Sequence, residues 1–591
     1  MTASATSQKQ IQEAEELLFA GPQRLGLAKG LFFGRFAADW VMPYPKLPAS
    51  ERDVVEAAAA EVERFTRETL DPVAIDRTAS IPPEIISELG RLGVLGMTAP
   101  VEFGGRGFSL RGYCRVMEVI GGTCASTCVF INAHHSIGMR ALLLFGTPEQ
   151  TRRWMPDLNS GRQLAAFALT EPEAGSDAGN VQTQATPSPD GSHYVLNGQK
   201  RYITNGSTAG FLTVMARTPE PGGSDTAITA FVVTPDMPGL EIVEAQMEKL
   251  GIRGTTTSRL AFHNLAVPKE NILGPLGKGL RVALTVLDFG RTTFGACCTG
   301  AMKRCTQIAA QYARQRRQFD RSLSEFELVK HKIAQMAAHA YAMEAMTTVT
   351  ASLIDRGFED YMLETAMLKV FVTEALWTGV NEAFQIHGGA AYFTDLPLER
   401  MLRDARINQI GEGANEVLLS FIALVGIRGP GQELKTVWEA LHHPTSHDLR
   451  RAWRFGIDRV GAALRAPFVP VGSLELAPWA HRLGRSIRAF NRTVQGSLVR
   501  HGEAILDRQY VQERIARAAI ELYASACTLS RWDDDFQGRH GGDGEKRHHA
   551  AELFLSSSLR RVRQHLAALG DNDDALTTTT ADAVLRADGE I

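Results

Sequence analysis

Between Pro48 and about Arg162, apolar residues recur at three- and four-residue steps, as in Val54, Ala58 and Val62 and then Ile85, Ile86, Leu89 and Leu92, with Pro82 and Pro83 opening a new run. This spacing puts them on one face of successive helices. From Leu164 to about Leu273 the pattern changes to alternating and β-branched stretches such as Thr229-Ala230-Phe231-Val232-Val233, broken by Asp190-Gly191 and Asn205-Gly206 turns, and it predicts an antiparallel β domain. Helical periodicity returns from Gly277 to about Gly426, through Leu280, Leu284 and Leu287 and later Leu328, Ile333 and Met336, and a four-helix bundle buries such faces simply. Pro430 and the glycines at 426, 429 and 431 read as a joint before further helical pattern and a polar, Thr- and Asp-rich tail. The fold class is α+β, mostly α. It comprises an arm (1–47), a helical domain (48–163), a middle β domain (164–275), a helical bundle (276–428) and an added helical domain with its tail (429–591).

Composition narrows the function. A chain of 591 residues is too long for one core, and 44% hydrophobic with 22% charged residues is ordinary globular composition. A net charge of −3 gives no basic field for nucleic acid. The seven cysteines are odd in number and show no zinc or redox spacing, so a reducing compartment is expected. The pairs His134-His135, His442-His443 and His548-His549 lack a carboxylate or cysteine frame, and no metal is expected. The N-terminus, with acidic Glu13, Glu15 and Glu16, lacks the basic start and apolar run of a secretory signal. No uninterrupted apolar run reaches the length of a membrane span, and a bacterial cytoplasmic location is expected.

The chemistry lies in ordered motifs. Ala168-Leu169-Thr170-Glu171-Pro172-Glu173-Ala174-Gly175-Ser176-Asp177 runs a strand into a turn with free N–H groups and hydroxyls, which suits a flavin and a phosphate, although a Gly-Ser-Asp turn alone is commonly only a turn. The decapeptide resembles the flavin-binding signature of the acyl-CoA dehydrogenases. Four further stretches resemble that family in the same order: Asn197-Gly198-Gln199-Lys200-Arg201-Tyr202-Ile203-Thr204, Asp288-Phe289-Gly290-Arg291, Arg316-Arg317-Gln318-Phe319, and Gln385-Ile386-His387-Gly388-Gly389, followed by Arg400 and Asp404. The last motif, Ile410-Gly411-Glu412-Gly413-Ala414-Asn415-Glu416, resembles the stretch that carries the catalytic glutamate.

The resemblance implies FAD as cofactor. It implies flavin contacts at Phe167, Leu169, Thr170, Gly175, Ser176, Tyr202, Ile203, Thr204, Gln385, Ile386, Gly388, Gly389, Ala414, Asn415 and Glu416, with Arg316, Gln318 and Phe319 reaching a neighbouring subunit's flavin. It places the acyl-CoA against Ser176, Asp288, Arg291, Gly411 and Gly413, and it makes Glu412 the base that takes the α-proton while the β-hydrogen leaves as hydride to the flavin. A base of this kind needs a water-poor pocket that raises its pKa towards the working pH. The thioester carbonyl is then polarised by the glutamate's own N–H and a flavin hydroxyl.

Where the family commonly has tryptophan this chain has Tyr202, and where it has an aromatic and a threonine around the glutamate it has Gly411 and Ala414. A missing ring at Gly411 leaves space beside the acyl chain or is filled by another side chain. The lost hydroxyl at Ala414 leaves Asn415 to supply a flavin contact. Ala391-Tyr392, in place of a Gly-aromatic pair, is a packing change.

Phe32 to Pro45, with Pro43-Tyr44-Pro45, and the region past Gly431, with Ile520-Glu521-Leu522-Tyr523-Ala524 and Leu529-Ser530-Arg531, resemble the very-long-chain branch, which implies a homodimer acting on long acyl-CoAs with electron-transferring flavoprotein as acceptor. Leu449, Trp453, Ile457, Val460 and Leu464 form an apolar stripe with Arg451, Arg454, Arg459 and Arg465 around it, so 447–466 reads either as a packed helix or as one lying peripherally in a membrane interface. An acyl-CoA oxidase or a non-catalytic assembly scaffold of the same fold are the rival readings, and Glu412 argues against the scaffold.

Overall fold

The arm carries α1 (Leu27–Phe32), and the first apolar run becomes α2 (Ala49–Glu68), α3 (Pro72–Thr78), α4 (Pro83–Arg91), α5 (Leu110–Gly121), α6 (Ala125–Ile131), α7 (Arg140–Phe145) and α8 (Pro148–Ser160) in a computed structural model that describes residues 25–219, 226–442, 465–538 and 544–587. Local chemistry sets the starts. Asp71 accepts the N–H groups of Val73 and Ala74 ahead of α3, Pro83 occupies the first position of α4, and Thr147 and Gln150 form a reciprocal capping box on α8. Val55, Val62, Leu89, Met117 and Ile120 meet in one core with Phe289 and Ala296 from further along the chain.

Between α6 and α7 the backbone widens into a π-helical turn, Asn132–Gly138. The two histidines in it face inward. His134 accepts the N–H of Ala165 at Nδ1 (2.9 Å) and lies 3.1 Å from the carbonyl of Leu158 at Nε2, while His135 accepts the N–H of Thr98 (3.2 Å). These are packing histidines, neutral by burial, which pulls His134 down to about 4. Two helical stretches, Ala125–Phe145 and Asn415–Lys435, are long and apolar enough to cross a membrane although neither is an uninterrupted apolar run; the first has 72% of its window buried inside the protein.

The middle sheet contains β1 (Ala165–Ala168), β2 (Gln184–Pro187), β3 (His193–Thr204), β4 (Phe211–Pro219), β5 (Thr226–Val233), β6 (Leu240–Glu244) and β7 (Thr257–Pro268), in the order β1-β4-β2-β3-β7-β6 with β5 also on β4. It departs from the wholly antiparallel expectation in one respect: β1 runs parallel to β4, and β2 touches β4 in parallel at Gln184 and Arg217. The return from β1 to β4 passes through the turn motif and the β2–β3 hairpin, a crossover that turn residues alone do not reveal. Beneath the two expected flavin motifs lies a buried ion pair, Lys200 with Glu171 at 2.6 Å, in which Lys200 also donates to the carbonyl of Leu169 and Glu171 accepts from Thr183. Burial pulls Lys200 down to about 8, partly offset by Glu171.

The bundle follows as α9 (Gly279–Gln315), a small hairpin of β8 (Arg317–Gln318) and β9 (Arg321–Ser322), α10 (Glu327–Asp355), α11 (Met362–His387) and α12 (Leu398–Arg406). The chain divides into two units, one spanning Pro45–Asn415, the other joining Arg24–Tyr44 to the chain from Glu416 onward. The second contains α13 (Asn415–His442), α14 (Ala477–His501), α15 (Gln509–Gln537), α16 (Gly544–Ala567) and α17 (Asp574–Arg586). The joint expected at Gly426–Gly431 is corrected here, because α13 runs through Pro430 without a break. Its glycines are there for packing: a Cβ on Gly426 would sit 2.1 Å from the ring of Phe32, and one on Gly429 2.5 Å from Phe33. The N-terminal arm thus lays two rings on α13, and Phe32 also packs edge-on against Phe490 of α14. The stretch 447–466 falls, apart from its last two residues, outside the described residues, as does the pair His442-His443 in its side chains.

Removing one partner of a buried ion pair strands the other charge. Lys200→Ala is therefore expected to cost about 3–5 kcal/mol of stability, read as a lowered denaturant midpoint at unchanged slope.

Candidate active site

Glu412 sits on the turn between α12 and α13 in a left-handed conformation, φ 56°, followed by Gly413 at φ 97°. A non-glycine residue there is strained, and such strain persists where the surroundings hold it. Two buried cations do so. Arg291 of α9 donates from Nε to the carbonyl of Glu412 (3.3 Å), and Lys369 of α11 donates to the carbonyl of Gly413 (2.7 Å) and to Oδ1 of Asn415 (2.8 Å). Asp288 steadies Arg291 at 3.0 Å and accepts from Thr365 at 2.6 Å.

The carboxylate itself turns inward. Oε1 accepts from the side-chain amide of Asn132 (2.8 Å), whereas Oε2 is buried with no hydrogen-bond partner among the described residues. Oε2 fits because position 290 is glycine: a Cβ there would lie 2.4 Å from it. Burial raises Glu412 to about 7, against the opposing pull of Arg291, Lys369 and the Asn132 hydrogen bond. Among the described residues the backbone N–H of Glu412 has no acceptor, so it is free to polarise a carbonyl.

Asn132 also lines a cavity of about 670 Å³, counted with its open mouth, whose walls include Gly121, Ala125, Cys128, Phe294 and Cys297 and whose polar part includes Arg400 and Asp404. Cys128 and Cys297 are joined as a disulfide across this wall, with Cα atoms 6.7 Å apart. The cysteine spacing gave no sign of it, since 169 residues separate the two and only the packing of α6 on α9 brings them together. The other five cysteines are free and buried.

On the sheet, a bulge in β3 sets Arg201 and Tyr202 opposite the single residue Arg259 of β7. It throws Tyr202 outward, 57% exposed at φ 63°, with Arg201 stacked on its ring at 4.8 Å. Thr170 is tied to the same bulge by the N–H of Arg201 (2.9 Å). Phe167 and Thr204 are half-buried, and Leu169 and Ile203 are buried. Gly175, Gly388 and Gly389 face open space, with nothing within 4 Å of a would-be Cβ, and Ser176 and Gln385 are exposed beside them in sequence. The side-chain amide of Asn415 turns inward, accepting from Lys369 (2.8 Å) and donating to Thr373 (3.1 Å). Arg316, Gln318 and Phe319 stand exposed on the β8–β9 hairpin, whose two-residue turn, Phe319-Asp320, has both φ values positive.

Family models match almost every part of the chain: the acyl-CoA dehydrogenase N-terminal domain over 53–162, middle domain over 166–265 and C-terminal domain over 277–426, and the ACAD9/ACADV C-terminal domain over 474–587. The very long-chain specific acyl-CoA dehydrogenase of Homo sapiens is 34% identical over 92% of this chain and 84% of its own length. The chain belongs to the acyl-CoA dehydrogenase family. The probable acyl-CoA dehydrogenase FadE10 of Mycobacterium tuberculosis is 32% identical over 97% of this chain and 90% of its own. A crystal structure of an acyl-CoA dehydrogenase complexed with FAD from Bacillus anthracis superposes with a TM-score of 0.77 at 28% identity, over 93% of this chain and 94% of that one.

The cofactor of this acyl-CoA dehydrogenase is FAD, and the residues fit it: an exposed ring at Tyr202 and glycines without neighbours at 175, 388 and 389 present a surface that flat aromatic and phosphate groups can approach closely. Motif reading located Glu412 but missed Asn132, Gly290 and Lys369 as its neighbours. Asn132 lies 280 residues from the base and Lys369 sits on a third helix, so no spacing rule links them. The base's carboxylate is the flexible party at Gly290. Gly290→Ala is therefore expected to keep the fold and FAD while displacing Glu412, lowering flavin reduction by about 10²-fold; single-turnover bleaching beside a thermal melt separates the two effects.

Proposed function

We propose that this enzyme dehydrogenates long-chain acyl-CoA thioesters between Cα and Cβ, with Glu412 as the base. The observation that carries the proposal is the unpartnered, buried Oε2 of Glu412, held beside a cavity by groups that leave this one atom free. Glu412 takes the α-proton at Oε2, its N–H polarises the thioester carbonyl, and Arg291, braced by Asp288, fixes the backbone that carries both. Bound FAD supplies the acceptor for the β-hydride. Ser176, Gly411 and Gly413 flank the substrate, and the acyl tail runs past Asn132 into the cavity.

The flavin rests on Phe167, Leu169, Thr170, Gly175 and Ser176, with Tyr202, Ile203 and Thr204 against its ring and Gln385, Ile386, Gly388, Gly389, Ala414 and Glu416 along the remainder. The β8–β9 hairpin completes a second copy's site. Supporting this, Phe319 is 87% exposed at a strained hairpin tip, and Arg316 stands exposed at its base, available for a pyrophosphate. A homodimer, a bacterial cytoplasmic location supported by the likeness to FadE10, and electron-transferring flavoprotein as acceptor complete the reading.

A panel of acyl-CoAs added anaerobically should bleach the flavin, and slow reoxidation in air would separate a dehydrogenase from an oxidase. Glu412→Gln should retain FAD and ligand but lose flavin reduction by on the order of 10²–10⁴. Because the base must be ionised, the wild-type rate should fall as pH drops through about 7 and level off above it. A flat profile from pH 5 to 9 would exclude Glu412.

Room beside Gly411 supports a roomy wall next to the acyl group, since a Cβ there would meet only the carbonyl of Ile407 at 3.7 Å. Branched or bulky acyl groups should therefore be accepted, and Gly411→Tyr should shift preference towards slender straight chains by roughly 10-fold or more. An equal fall on both substrate classes would show that the gap does not face the acyl group.

A further inference from the structure

The π turn places one polar side chain where the apolar cavity meets the base. Asn132 is buried, its Nδ2 donates to Oε1 of Glu412 (2.8 Å), and its Oδ1 accepts from the hydroxyl of Thr293. The orientation of this amide is fixed by chemistry, because the flipped form would set its oxygen against a carboxylate oxygen. Thr293, whose hydroxyl also lies 3.0 Å from the carbonyl of Gly290 and 3.1 Å from the hydroxyl of Ser136, holds Asn132 from behind, and Ser136 in turn lies 3.1 Å from the hydroxyl of Tyr113. The result is a buried polar network of Tyr113, Ser136, Thr293 and Asn132 that ends on a single carboxylate oxygen. All its members are buried.

We propose that Asn132 is a positioning residue for proton abstraction: it occupies Oε1 of Glu412 so that Oε2 alone faces, and accepts, the substrate's α-proton. The inference rests on the proposed reaction. In that step the Cα–H bond breaks and an Oε2–H bond forms, while the electron pair left on Cα becomes the new double bond as the β-hydride leaves to bound FAD. Asn132 can donate to Oε1 both before and after, since Oε1 is a carboxylate oxygen first and a carboxyl carbonyl afterwards. The π-helical turn makes this geometry, because widening the helix by one residue lets the polar amide of Asn132 and the packing histidines His134 and His135 both point inward.

The charged and titratable groups around Glu412 are Arg291 and Asp288 on α9, Lys369 on α11, Tyr113 on α5, and His135 with Arg140 behind the π turn. Arg291 and Lys369 favour the carboxylate in every variant considered. Neutral His135 and the un-ionised phenol of Tyr113 contribute no charge that changes between pH 5 and 9. A shift on altering Asn132 is therefore its own.

The test uses two variants, Asn132→Ala and the isosteric Thr293→Val, which frees the amide without opening a cavity. The first readout is the carboxyl C=O band of Glu412 in the purified holoprotein without acyl-CoA, assigned by its loss in Glu412→Gln and titrated by infrared difference spectroscopy. Its midpoint should rise by about one pH unit in Asn132→Ala and by less in Thr293→Val. The second is the pH profile of flavin bleaching by saturating acyl-CoA, whose acidic limb should move by the same amount, with a plateau at high pH reduced roughly 10-fold. An unmoved carboxyl band, or profiles parallel to wild type in both variants, would overturn the role of Asn132. Failure of wild-type bleaching by every acyl-CoA would instead overturn the proposed reaction, and the infrared titration would still report whether Asn132 holds the carboxylate.

Discussion

The burial of one carboxylate, Glu412, which in the proposed reaction must be ionised to act, constrains the centre of this protein. Desolvation alone would drive Glu412 to the protonated form. The structure supplies compensation from three directions at once: Arg291 from α9, Lys369 from α11 and Asn132 from the π turn. Each cation is spent on a backbone carbonyl of the turn, which holds Glu412 at positive φ, and lends its field to the side chain. The outcome is a carboxyl group poised near neutrality with one oxygen free, as the proposed role requires.

The flavin surface follows a similar economy of placement. The buried pair of Lys200 and Glu171 locks two motifs from separate strands, and the bulge above it pushes Tyr202 outward. A buried pair of this kind does little for stability over an apolar substitute, but it fixes one register of β3 against the turn motif. Glycines at 388 and 389 leave backbone bare, with nothing within 4 Å of a would-be Cβ, where the proposed flavin site needs close approach. In the second unit, by contrast, the glycines of α13 are covered by rings of the N-terminal arm, so the same residue type serves close packing rather than ligand access.

Sequence alone determined what depends on local order. The helical and strand periods, the family motifs and the place of Glu412 in them were legible, because each is written in contiguous residues or in a fixed spacing. It misread Gly426 to Gly431 as a joint, since glycine and proline signal a break only when nothing packs on them, and Phe32 and Phe33 lie almost 400 residues away. Tertiary structure decided which groups meet the base. Asn132, Gly290 and Lys369, the disulfide between Cys128 and Cys297, and the inward turn of Asn415 all arise where helices distant in sequence cross. Burial, which sets the pKa of Glu412 and leaves Oε2 without a partner, belongs to the packed interior, and no single stretch of sequence encodes it.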